Sequence, residues 1–86
     1  MHKAVAYEAL CRELAYWRAM PEDALIACIG RPAHVQMVSA GGEHIQIEVT
    51  VRKQGDVLRI IGVANGPSHW RLERLEEVIA IRLSGY

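Results

Sequence analysis

An excess of charge of either sign is missing from this sequence: ten Lys and Arg stand against ten Asp and Glu. Proteins that hold nucleic acid through its phosphates carry surplus positive charge, so neither DNA nor RNA is expected as a partner. Cysteine is scarce too. Cys11 and Cys28 form no CxxC pattern, which speaks against a zinc knuckle or redox pair and fits a reducing compartment, a single disulfide being the alternative. Long apolar runs are absent near the start, where Lys3, Glu8, Arg12, Glu13 and Arg18 break any such run. Neither a signal peptide nor a membrane span is expected, and the chain reads as cytoplasmic. Proline is rare and no GxGxxG or GxxxxGK pattern occurs, so disorder and nucleotide binding both lack support.

What is present is a globular composition, 51% apolar and 23% charged over 86 residues. A chain of this length fills one domain and buries roughly 60–65% of its unfolded surface. No internal repeat divides residues 1–86, and every linker is short.

The sequence predicts a helix over residues 3–19, rich in Ala, Leu, Glu and Arg, with Tyr7, Leu10, Cys11, Leu14 and Trp17 recurring at spacings of three and four. Glu8 and Arg12 stand at the favourable four-residue spacing on its polar side. A second, short helix is expected from Pro21 to Ile29, with Glu22 and Asp23 in its first turn and Gly30 as its stop. Being apolar nearly all round, it is expected to be buried on more than one side.

Past Ala33 the period changes to two. Ile45, Ile47, Val49 and Val51 alternate with polar residues, the mark of a half-buried strand. A preceding strand, "AHVQMVS", enters a hairpin; a three-residue loop at Gly41 to Glu43 sets Met37 opposite Ile47 and Val35 opposite Val49. A two-residue loop at Gln54 and Gly55 then sets Val51 opposite Leu58 and Val49 opposite Ile60. The third strand has two apolar faces, with Leu58, Ile60, Gly62 and Ala64 inward and Val57, Ile61 and Val63 outward beside Arg59. "WRLERLEEVIAIRL", from Trp70 to Leu83, matches a helix over only half its apolar set. It is read as a fourth strand, bent or broken near Glu76, with a helix as the alternative. The expected fold class is α+β: two N-terminal helices on one face of a four-stranded antiparallel meander, packed against Ile45, Ile47, Val49 and Val51.

No constellation of catalytic groups emerges. The register sets His34 opposite Thr50, away from His44, so the histidines do not converge as a metal needs. Cys11 and Cys28 lie on apolar helix faces, where cysteine acts as a small hydrophobe. Ser68 and His69 are neighbours on an extended chain and point apart. Glu73, Glu76 and Glu77 alternate with Arg71 and Arg74 as a solvated face does. No enzyme activity, metal or cofactor is expected.

The outer side of the sheet is the feature left over. Val38, Val57, Ile61 and Val63 are expected there with Glu48, Arg52 and Arg59, an apolar strip edged by opposite charges, and small monomers seldom leave such a strip unused. Its cover is part of the same chain, a second copy in a homodimer, or another protein. Trp70 and Arg59 are the residue types in which binding energy concentrates; Trp70 is read first as closing the sheet edge over the core, and as an anchor only if a partner exists. The expected function is a small protein–protein interaction module, accessory, regulatory or inhibitory, working through this face or an edge strand. A pocket for a small apolar ligand between helices and sheet, near Gly62 and Ala64 with Tyr7 or Cys11 alongside, is the alternative.

Overall fold

The computed structural model describes residues 3–66 and 74–84. Two helices, α1 (Lys3–Arg18) and α2 (Glu22–Ala27), precede four strands, β1 (His34–Ala40), β2 (Glu43–Gln54), β3 (Val57–Asn65) and β4 (Arg74–Arg82). The strands form one antiparallel sheet in chain order, so β1 and β4 are its edges. This is the α+β meander expected from the sequence. No helix among the described residues is long and apolar enough to cross a membrane.

Helix α1 buries Ala6, Leu10, Leu14 and Trp17, a stripe at four- and three-residue steps that lies on one helix face. Tyr7 and Cys11 stand one position round from that stripe, at its flank. The helix lies chiefly over β3 and β4. Gly62 permits the close approach: a Cβ there would sit 2.9 Å from both Leu10 Cδ1 and Leu14 Cδ2. On the sheet side the same core takes Ile45, Ile47, Val49 and Val51 of β2 with Leu58, Ile60 and Ala64 of β3.

Helix α2 starts at Pro21, whose carbonyl accepts from the amides of Ala24 and Leu25, and it is shorter than the span Pro21 to Ile29. Burial on more than one side does not occur. Leu25 alone of α2 is fully buried and Ile26 is exposed, because α2 lies at one end of the sheet, where Ile29 bridges to Val51. Glu22 accepts from both the amide and the hydroxyl of Ser84, fastening the chain beyond β4 to this helix.

The registers differ from those expected in two ways. Gly41 and Gly42 both take positive φ, 57° and 79°, and form a two-residue loop closed by Ala40 and Glu43 rather than a three-residue one. Gln36 therefore faces Ile47, and Val38 faces Ile45. A shift of one residue exchanges the faces of a strand: Val38 turns inward against the core, while Val35 and Met37 turn outward. In the second hairpin the loop falls at Gly55 and Asp56, and Val51 pairs with Ile60 and Val49 with Gly62. That shift of two keeps every face.

β4 is a continuous strand. Leu75, Glu77, Ile79 and Ile81 pair with Ala64, Gly62, Ile60 and Leu58 in unbroken sequence, so the ladder does not break at Glu76. The interruption of the apolar pattern is Glu77, an inward carboxylate that accepts a 2.9 Å hydrogen bond from the Tyr7 hydroxyl.

Candidate functional site

Antiparallel pairing puts Glu48, Thr50 and Arg52 of β2 on the face away from the helices. Beside them on that face lie Val57, Arg59, Ile61 and Val63 of β3, and Glu76 and Val78 of β4. Neither helix covers this face. Ile61 stands between Thr50 and Val78, and Val63 between Glu48 and Glu76. Val63 is only 7% exposed yet does not belong to the core under α1. Around these side chains lies an open depression of about 380 Å3 with Ile61, Val63, Thr50 and Val78 in its lining.

Charges ring it. Glu48 and Glu76 lie toward one end, where Arg74 pairs with Glu76 at 3.5 Å and Gln46 donates to Glu48 at 3.3 Å. Arg52 and Arg59 lie toward the other, as direct partners on adjacent strands. Like charges set opposite one another on a sheet repel, and among the described residues neither guanidinium has an ion-pair partner. The depression thus pairs an apolar floor with two cations that lack a counter-charge among the described residues, a setting in which a carboxylate bridging both would be held by charge-assisted hydrogen bonds.

Of the residues singled out from sequence, Glu48, Arg59, Ile61 and Val63 come together here. Val57 shares the face but lies beyond the depression, level with Gln54 and Arg82. Val38 does not belong to it, having been turned to the opposite face by the two-glycine loop. Trp70 and the Ser68–His69 pair lie outside the described residues. Sequence reasoning missed Val78 because β4 was taken to lose phase at Glu76, and missed Val35 and Met37 because of the register of β1. The space considered for an apolar ligand, opposite Gly62, is occupied by Leu10 and Leu14.

His34 and His44 stand apart. His34 faces Val49 rather than Thr50 and packs edge-on against Trp17, ring centroids 5.6 Å apart. His44 is on the other face, its Nδ1 3.3 Å from the Ser39 hydroxyl. Among the described residues no three His, Cys, Asp or Glu side chains gather as they would to hold a metal ion. Both cysteines are free thiols. At Tyr7 the hydrogen bond to Glu77, and after it the nearby Cys11, push the phenol up to about 12.

No protein-family model matches the chain, and neither a curated protein nor a solved structure does.

Proposed function

We propose that the chain is a small non-enzymatic protein–protein interaction module of the cytoplasm, and that the outer sheet face is its binding surface. The observation that carries this reading is the juxtaposition on that face of an apolar floor covered by neither helix with the mutually opposed Arg52 and Arg59, which among the described residues have no ion-pair partner. The partner that fits presents an apolar side chain to Ile61 and Val78 and a carboxylate to the two arginines. Desolvated apolar anchors with arginine beside them are where interface energy concentrates.

Ile61 is the residue to change, because it is central to the depression and remote from the core under α1. Ile61→Arg adds a third cation and removes the apolar contact, and is expected to weaken partner capture by about 30-fold, the effect of a hot-spot loss of about 2 kcal/mol. Capture from cell lysate on immobilised chain, parent against variant, with circular dichroism to show an unchanged fold, reads this directly. Equal capture by the two sinks the outer-face reading.

A further inference from the structure

The edges of this sheet are defended unequally. β4 carries Arg74, Glu76, Glu77 and Arg82, with Glu77 pointing inward and Arg82 bonded to Asp56 at 3.1 Å. Charged and inward-charged edges are how sheets resist pairing with another chain. β1, "HVQMVSA", has no Lys, Arg, Asp or Glu and no proline. Its outward side chains Val35 and Met37 are 53% and 58% exposed.

Hairpin geometry settles which backbone groups of β1 are free. With two positive-φ residues in a two-residue loop, Ala40 and Glu43 form a hydrogen-bonded pair. The alternation along an antiparallel ladder then commits Val38, Gln36 and His34 to β2. The N–H and C=O groups of Val35, Met37 and Ser39 point to the open edge. These three are evenly spaced about Met37, which makes the edge complementary to itself. Pairing antiparallel with a second copy, with Met37 opposite Met37 and Val35 opposite Ser39, brings every one of those donors and acceptors to a partner. Any other register leaves some of them unpaired.

We propose that the chain pairs with a second copy of itself edge to edge along β1, antiparallel, with the two-fold axis at Met37, to give one continuous eight-stranded sheet. The axis stands perpendicular to the sheet, so both α1 helices lie on one side and both outer faces on the other. A specific dimer buries roughly 1,200 Å2 or more, and one strand edge falls short of that. The second layer is at hand: a cleft of about 480 Å3 over β1 is lined by Tyr16, Trp17, Met20, His34 and Gln36. Tyr16, 66% exposed, borders that cleft. On the opposite side Val35 and Met37 of both copies join, placing two Arg52–Arg59 depressions on one surface. This assembly deepens the interaction reading, and rests on it only for the use made of the paired faces.

Light scattering over micromolar to millimolar concentration, with amide hydrogen exchange on the same samples, tests it. The parent is expected to show a two-chain mass, with the Val35, Met37 and Ser39 amides exchanging at least tenfold more slowly than after dilution. Met37→Lys, at an exposed position the protomer tolerates, sets two cations across the axis and is expected to give a one-chain mass with a native spectrum. Ile61→Arg is expected to keep the two-chain mass. A one-chain parent at every concentration overturns edge pairing and leaves the outer-face reading standing. So does a dimer that survives Met37→Lys but not Ile61→Arg, which would place the contact on the outer faces. Retained dimer in Ile61→Arg with undiminished lysate capture supports edge pairing while sinking the outer-face reading.

Discussion

Two residues do opposite things at the contact between α1 and the sheet. Gly62 contributes by having no side chain: the Leu10 and Leu14 methyls fill the space a Cβ would need, and a well-packed core leaves no slack for one. Glu77 contributes a charge where its strand neighbours are apolar, and Tyr7 makes that acceptable by donating to it. The phenol donates only while protonated, and its ionisation would set a second anion beside the carboxylate. The displacement to about 12 follows from that. A folded-state value above the ordinary one means the contact stabilises in full below pH 10 and is lost as the pH rises through about 12. Ultraviolet difference titration of the parent against Tyr7→Phe is expected to lose a phenol titrating near 12. A lost phenol titrating near 10 would show that the bond to Glu77 does not persist in solution.

At the scale of elements, turns decide the faces. The order of helices and strands, the span of α1 and the inward set of β2 and β3 were legible in periodicity, because each is a local pattern repeated several times. The face of β1 was not. "AGGE" accommodates a two- or a three-residue loop, and the difference of one residue reverses every side chain of the strand. Val38 was thereby assigned outward, and Val35 and Met37 inward. β4 was obscured differently: Glu77 breaks the apolar alternation, and its partner Tyr7 lies 70 residues earlier, beyond any local pattern. The opposition of Arg52 to Arg59 likewise depended on a hairpin register the sequence left two residues out. If the paired glycines fix the β1 register, Gly42→Ala is expected to cost about 1–2 kcal/mol, since an L-residue resists positive φ. Its missing Cβ meets nothing within 4 Å, so the cost is conformational, and Gly42→Asn should be milder. Urea titration reads both as a lowered midpoint at constant slope; an unchanged midpoint in Gly42→Ala would mean that the loop adopts another turn.

For the whole molecule, the consequence is a link between folding and association. A protomer of this size buries too little surface to be more than modestly stable, and edge pairing adds backbone hydrogen bonds and apolar contacts that the unfolded chain cannot make. Anything that binds only the folded state stabilises it by mass action, and here that ligand is the chain itself. Above the dissociation constant each tenfold rise in concentration contributes about 1.4 kcal/mol per dimer, or about 0.7 kcal/mol per chain. For a domain of this length that corresponds to about 3–6 °C in Tm. Calorimetry of the parent across two decades of concentration is expected to show this slope and Met37→Lys a flat line, with the two converging at the lowest concentration. A parent Tm that is flat throughout would mean that the protomer folds alone and that the uncharged edge of β1 is left open.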